Sequence, residues 1–184
     1  MSIDPREVGP KPPFPKQEQT HPGTVKKLNP SADHGEESYV GTGKLKGLAA
    51  IVTGADSGIG RAVAIAFARE GADVLLSYLP EEEPDAAEVV AVVKKAGCKA
   101  VKLPGDIRKS EYSQALVAAA LKEFGRLDVV VNNAGFQRCA ARRGKAYLRY
   151  QHLRHICSDS GSPKRAEARC LYFEHNFNPG ISAG

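Results

Sequence analysis

The sequence predicts an α/β fold, a doubly wound parallel sheet of about four strands with helices on both faces. Three observations carry this. Short apolar runs alternate with segments of helical period between residues 45 and 137. The runs are nearly continuous rather than alternating, as in strands covered on both sides. A glycine-rich turn, Val52-Thr53-Gly54-Ala55-Asp56-Ser57-Gly58-Ile59-Gly60, joins the first run to the first helical segment. Strands separated by helices imply right-handed βαβ units and hence parallel pairing.

Residues 1–44 hold seven of the twelve prolines, and Pro10, Pro12, Pro13 and Pro15 forbid a helix there. With little to bury, this stretch is expected to be an extended arm, disordered or draped over the surface. The first strand is expected at 48–52, and the first helix follows with Ile59, Val63, Ala66 and Phe67 on one face and Gly71 as its stop. The second strand is 73–78. The intervening Glu81-Glu82-Glu83 reads as a solvated loop. The second helix begins near Pro84-Asp85, carries Val89, Val92, Val93 and Ala96 inward and ends at Gly97. A third strand at 99–103 stops at Pro104-Gly105. The third helix spans 109–124, with Val117, Ala120, Leu121 and Phe124 inward and Gly125 closing it, and the fourth strand is 127–131. After Gln137 the pattern fails: 146–157 allows a basic helix and 171–177 a short strand, neither with a clean period.

Composition agrees with one domain. Hydrophobic content of 42% and charged content of 26% are those of a soluble globular protein. No apolar run approaches the ~18 residues of a membrane span, and no signal-peptide core opens the chain, so a cytoplasmic location and no membrane partner are expected. The four cysteines, Cys98, Cys139, Cys157 and Cys170, form no CxxC pair. The net charge of +5 hides a step. Residues 1–137 carry 17 basic against 18 acidic side chains, and residues 138–184 carry 9 against 3. Three organisational units follow: the Pro-rich arm 1–44, a nucleotide-binding half-domain 45–137 and a basic tail 138–184.

The glycine turn suits a pyrophosphate. Such a dianion needs backbone N–H donors and close approach, and the start of a helix offers free N–H groups at the positive end of its dipole. Gly54 lets the chain turn off the strand, Gly58 removes a Cβ where phosphate would sit, and Gly60 lets the helix lie close on the sheet.

Thr53-Gly54-x-x-x-Gly58-Ile59-Gly60, then Gly105-Asp106-Ile107, then Asn132-Asn133-Ala134-Gly135 together resemble the short-chain dehydrogenase/reductase family, in order and at the right strand ends. The arm followed by Tyr39-Val40-Gly41-Thr42-Gly43-Lys44-Leu45 is similar to its stress-associated and glucose/ribitol-dehydrogenase-like members. The resemblance implies a Rossmann-like sheet in the order 3-2-1-4 and an oxidoreductase using NAD or NADP. It implies that Gly54, Ser57, Gly58, Ile59 and Gly60 hold the pyrophosphate and adenosine ribose. Asp106 would accept a hydrogen bond from the adenine amino group, Ile107 would pack beside the ring, and Asn132, Ala134 and Gly135 would line the cleft beyond the fourth strand. On the residues alone, Asp106 also fits a solvated turn acid and Asn132-Asn133 a strand-ending turn. Ser77-Tyr78-Leu79 offers neither an acid for a ribose 2′-hydroxyl nor a base for a 2′-phosphate. Asp56 stands where NADP users of the family often carry a basic residue, which favours NAD, and Arg61 argues the other way.

Family catalysis pairs a Tyr with a Lys one helical turn on, plus a Ser and a relay Asn. Tyr39, Tyr78, Tyr112, Tyr147 and Tyr172 have neither Lys nor Arg four residues on, and Tyr150 has Arg154, a poor substitute for a point charge. No catalytic residue is therefore assigned, and the chain is expected to be an inactive cofactor-binding fragment of an enzyme acting on an alcohol or carbonyl compound, such as a sugar or polyol. The composition step suggests that 138–184 is read out of frame. With permissible codons, residues 150–156 shifted one nucleotide forward can read Ile-Asn-Thr-Tyr-Ala-Thr-Phe. In the same frame, 157–163 can read Val-Leu-Thr-Arg-Ala-Ala-Pro and 174–178 Ser-Ile-Ile-Ser-Thr, like the family's fourth helix and fifth strand. The fourth strand is then an exposed edge, and the family's dimer surface is largely missing. Two other readings of the tail are weaker: metal binding by Cys139, His152, His155, Cys157, Cys170 and His175, whose spacing fits no zinc module, and nucleic-acid binding by its arginines with Tyr147 and Tyr150 as stacking platforms. The competing class is a non-catalytic nucleotide-binding or basic-tail interaction protein.

Overall fold

A computed structural model describes residues 10–19, 25–135 and 169–171, and within them one parallel sheet. Its strands are β1 (Ala49–Thr53), β2 (Asp73–Tyr78), β3 (Ala100–Pro104), β4 (Val129–Val131) and β5 (Arg169–Leu171), in the order β3-β2-β1-β4-β5. The helices are α1 (Gly58–Arg69), α2 (Glu83–Lys95) and α3 (Ser110–Phe124). The expected order 3-2-1-4 is present. The chain runs outward from β1 through β2 to β3, then returns to place β4 on the other side of β1. That reversal leaves a crevice at the carboxyl ends of β1 and β4, where open α/β sheets take their ligands.

Alternate residues of β1 face opposite layers. Ala50 and Val52 pack with Ala64, Ile65 and Ala68 of α1 and with Ala86, Val89 and Val93 of α2. Ile51 packs with Leu75 and Val130 under Leu116 and Ala120 of α3. All five β1 residues are buried, which explains why their apolar run is unbroken.

Four expectations need correction. Ile59 is 52% exposed, and the buried face of α1 is Gly60, Arg61, Ala64, Ile65 and Ala68, with Val63 and Phe67 only partly covered. Small residues, not the bulkiest apolar ones, bring this helix down on the sheet, so the inward face is rotated from the one that hydrophobicity picks out. Leu121 of α3 is likewise 45% exposed, its turn being held by Leu116 and Ala120. Glu81-Glu82-Glu83 is no solvated loop: Glu82 accepts the Leu79 N–H at 3.1 Å, and Glu83 begins α2 while taking hydrogen bonds from Lys102 and Tyr78. Finally, β4 is not an edge. Arg169–Leu171 pairs with it in parallel, Val130 opposite Cys170, so the tail contributes a strand, earlier than the 171–177 expected from its apolar residues. The basic helix expected at 146–157 and the tail's metal and nucleic-acid candidates lie outside the described residues, apart from the backbone of Cys170 and Arg169.

Over residues 25–44 polar side chains tie the arm to α1 where apolar burial does not. Glu36 accepts the Arg61 Nε–H at 2.8 Å and the His34 N–H at 2.8 Å, and its own carbonyl takes a hydrogen bond from Arg69. Arg61, only 6% exposed, also donates to Glu88 at 3.3 Å. Four donors converge on Glu70 at the end of α1: the Tyr39 hydroxyl, the Thr42 N–H at 3.0 Å, the Thr42 hydroxyl at 3.2 Å and the Lys44 N–H at 2.8 Å. The Tyr39 hydroxyl foremost, then these amides, hold the Glu70 carboxyl down at about 2 against its ordinary 4.5. A carboxylate lowered by folding contributes in full above 4.5 and loses that contribution as pH falls toward 2. The Tm is therefore expected to drop across this window, and Glu70→Gln to flatten the drop. Equal slopes for the two proteins would mean that the arm is not fastened at Glu70.

Candidate functional site

The crevice is assembled around one hydroxyl. Thr53, the fully buried last residue of β1, accepts the Asn133 N–H and the Ala134 N–H, each at 3.0 Å, and donates to the Val131 carbonyl at 3.3 Å. The Asn133 amide returns the contact, donating to the Thr53 and Gly54 carbonyls at 3.0 and 3.1 Å. The loops after β1 and β4 are thus locked to each other. Neither Thr53 nor the side chain of Asn133 was assigned a role from the sequence. The signal was a hydroxyl residue before the first glycine and a doubled Asn at the end of the fourth strand.

Each glycine of the turn has a distinct geometry. Gly54 leaves β1 at φ +61°, and a Cβ there would lie 3.1 Å from the Ala134 Cα. Gly58 opens α1 at φ +52°, and a Cβ there would meet no atom within 4 Å. It faces open space. Gly60 is the opposite case, since a Cβ would overlap the Gly54 carbonyl and the Asn133 amide. Gly58 and Ile59 are exposed and Ser57 is half-buried, so the turn presents its surface outward instead of packing it away. Ser57 is the N-cap residue of α1 without a capping side-chain hydrogen bond.

The remaining sequence-derived residues follow the carboxyl ends of β4 and β3. Asn132, 9% exposed, follows β4 with a buried Oδ1 that makes no hydrogen bond. Ala134 is half-buried and Gly135 exposed. Asp106 and Ile107 follow β3, both half-buried. Asp106 is already engaged: Arg108 donates its N–H at 2.9 Å and its Nε–H at 2.8 Å, and this guanidinium holds the carboxyl below the usual carboxylate range. Both the turn-acid reading and room for a further donor are consistent with that arrangement, since Arg108 is itself largely exposed. Asp56 is buried beside Asp85, and burial first, with the Asp85 charge adding, pushes its carboxyl up. Arg61 is held in ion pairs with Glu36 and Glu88.

The sequence model described as short chain dehydrogenase matches residues 48–148. The chain belongs to the short-chain dehydrogenase family. The uncharacterized oxidoreductase YghA of Escherichia coli is 52% identical over 124 residues, which cover 67% of this chain and 42% of that protein. General stress protein 39 of Bacillus subtilis is 45% identical over 125 residues, 67% of this chain and 43% of that one. The glucose and ribitol dehydrogenase of Daucus carota is 36% identical over 128 residues, 67% and 44% respectively. This short-chain dehydrogenase chain thus spans about two fifths of the length of the curated relatives it matches. All three motif regions fall inside the matched residues, and the arm lies ahead of them. No helix among the described residues is long and apolar enough to cross a membrane, and no group of three or more His, Cys, Asp or Glu among them is placed to hold a metal ion.

Proposed function

We propose that residues 45–137 bind the ADP portion of a nicotinamide dinucleotide, with Gly54, Ser57, Gly58, Ile59 and Gly60 at the pyrophosphate and adenosine ribose, Asp106 and Ile107 at the adenine, and Asn132, Ala134 and Gly135 along the cleft beyond β4. The observation that carries this is the space over Gly58, where a side chain would meet nothing within 4 Å at the first turn of a helix whose N-cap side chain caps nothing. The orphaned Asn132 Oδ1 at the same crevice is a second polar atom that a ligand donor would satisfy. The bound group supplies hydride chemistry at its nicotinamide ring. The chain's own residues grip and orient it.

NAD is the better fit. A 2′-phosphate needs a cation, and Arg61 is buried against Glu36 and Glu88 while Asp56 occupies the turn. The parent activity is oxidation or reduction of a small alcohol or carbonyl compound, a sugar or polyol by kinship with the carrot enzyme's name. This chain is proposed to bind without turning over, because none of its tyrosines has a lysine four residues on. The tail 138–184 is proposed to be a frame-shifted reading, tested by a gene sequence in which a one-base shift near codon 138 restores Tyr-x-x-x-Lys downstream. A cytoplasmic location and loss of the family's dimer surface belong to the same reading.

The direct experiment titrates the protein with NADH, following nicotinamide fluorescence, and then assays NAD-linked oxidation of sugars and polyols. Saturable binding with no turnover is the expected result. Clear turnover would overthrow the fragment reading, and absence of binding by NADH and ADP alike would remove the nucleotide site itself.

A further inference from the structure

Two loops of the proposed nucleotide site hang on consecutive residues of β2. The Ala55 N–H of the glycine turn donates to the Ser77 carbonyl at 3.2 Å. The Gly105 N–H, at the head of the Gly105-Asp106-Ile107 turn, donates to the Tyr78 carbonyl at 2.8 Å. One side chain reaches across this junction. Tyr112, in the first turn of α3, donates its hydroxyl proton to the Leu103 carbonyl and lies 3.0 Å from the Ser77 hydroxyl. A phenol has a single proton to give, so the buried Ser77 hydroxyl donates in return. Ser77 and Leu103 are paired across β2 and β3, and the phenol oxygen thus bridges the carboxyl ends of both strands. The ring lies against the turn that follows, since a Cβ placed on Gly105 would overlap its carbons. The backbone then returns to the same residue. The Lys109 N–H donates to the Asp106 carbonyl at 3.0 Å, and the Tyr112 N–H donates to the Lys109 carbonyl at 3.1 Å. Asp106 and Ile107 therefore stand in a loop that starts against the Tyr112 ring and ends at the Tyr112 backbone. The ring also packs beside the Leu116 layer. A phenylalanine would serve that packing as well; the hydroxyl is what spans the two strand ends.

We propose that Tyr112 is a positioning residue for the adenine end of the cleft, its hydroxyl fixing the turn so that the Asp106 carboxylate stands where an adenine amino group can donate to it. This rests on the nucleotide reading, in which Asp106 and Ile107 meet the adenine, and it adds what sets their place. Recognition of a base by one carboxylate requires that carboxylate to be held to within about 0.5 Å. Arg108 does not supply this. It hydrogen-bonds Asp106 from within the same turn and is itself largely exposed, so the ion pair travels with the turn. Tyr112 ties the turn to two strands of the sheet instead. It reads no base itself and acts through Asp106.

The test compares ADP with inosine diphosphate, which carries a carbonyl where adenine carries its amino group, and with inorganic pyrophosphate, which engages the glycine turn alone. Affinities are read by calorimetry on the full chain. The unaltered protein is expected to prefer ADP to inosine diphosphate about tenfold, the worth of one hydrogen bond to a carboxylate. Tyr112→Phe keeps the ring against Gly105 and is expected to bring that preference within about twofold. Pyrophosphate affinity should stay as it was, because the glycine turn hangs on the Ser77 backbone, which this change leaves in place. An unchanged preference in the folded Tyr112→Phe protein overturns the proposal and leaves Asp106 its role. A parallel fall in all three affinities overturns it too, since Tyr112 would then serve only the fold. If the unaltered protein binds ADP without preferring it, the Asp106–adenine assignment fails and takes this inference with it. If it binds neither nucleotide, the nucleotide reading fails first. Should Tyr112→Phe not fold, Ser77→Ala decides. It removes one partner of the hydroxyl without touching α3 or the turn, and the preference for ADP is expected to fall to about threefold. A preference as strong as the parent's would overturn the proposal.

Discussion

Gly60→Ala is expected to cost about 3 kcal/mol, the upper end for adding a methyl group to a packed interior. The reason is what the new Cβ would meet. It would overlap the Gly54 carbonyl and the Asn133 amide, and neither can step aside cheaply. The Gly54 carbonyl belongs to the turn itself and accepts from Asn133, whose amide also binds the Thr53 carbonyl. Relief requires α1 to lift from β1, which uncovers Ala64, Ile65 and Ala68. Against a typical domain stability of 5–15 kcal/mol, such a loss leaves a substantially weakened fold. Gly58→Ala is the informative contrast. It meets no atom, so its cost is only that of an L-residue at φ +52°, about 1–2 kcal/mol. Its Cβ, however, would project into the space proposed for phosphate. Denaturant unfolding should therefore rank Gly60→Ala well below Gly58→Ala, while ADP binding by the folded Gly58→Ala protein should be lost. If the two variants prove equally stable, α1 does not rest on the turn as described.

How much of this was legible in the sequence depends on what kind of force set each feature. β2 falls at residues 73–78, as read from its unbroken apolar run, because a strand buried on both faces leaves no ambiguity in pattern. The helix stops at Gly71, Gly97 and Gly125 were readable because each glycine takes a positive φ that other residues avoid. The inward face of α1 was misread because hydrophobicity ranks Ile59 above Gly60 and Ala64, whereas close approach to the sheet selects for smallness. Arg61, which in the sequence argues for NADP, pairs with Glu36, 25 residues earlier, and with Glu88, 27 residues later. Ion pairs of that separation leave no periodic trace. The same holds for the arm, whose anchors are the carboxylates of Glu36 and Glu70 rather than an apolar stripe. Among the residues proposed for the site, the glycines and Asn132 stand out because their chemistry is local to a motif, while Thr53 and Asn133 join the loops only when β4 comes to lie beside β1.

Thr53→Val is expected to destabilise the protein by about 2 kcal/mol and to weaken NADH binding about tenfold, with Thr53→Ser restoring most of both. Valine matches threonine in shape, so no cavity opens and the apolar contacts of β1 survive. What disappears is the acceptor of the Ala134 N–H and one of two acceptors of the Asn133 N–H, which keeps the Val131 carbonyl at 3.2 Å. Leaving a buried donor unsatisfied costs about 1–3 kcal/mol; the Ala134 N–H is left so, the Asn133 N–H loses one of its two acceptors, and because both residues are only half-buried water recovers part of the loss. The loop after β4 then has only the Asn133 side chain to hold it against β1. Asn132, Ala134 and Gly135 lose their fixed position at the cleft, which is why binding should fall along with stability. Serine keeps the hydroxyl and gives up one methyl, so it separates hydrogen bonding from packing. Thermal unfolding and NADH fluorescence on the three proteins decide the point. A Thr53→Val protein as stable as Thr53→Ser, or one that binds NADH as the parent does, would show that the two loops are held together by something other than this hydroxyl.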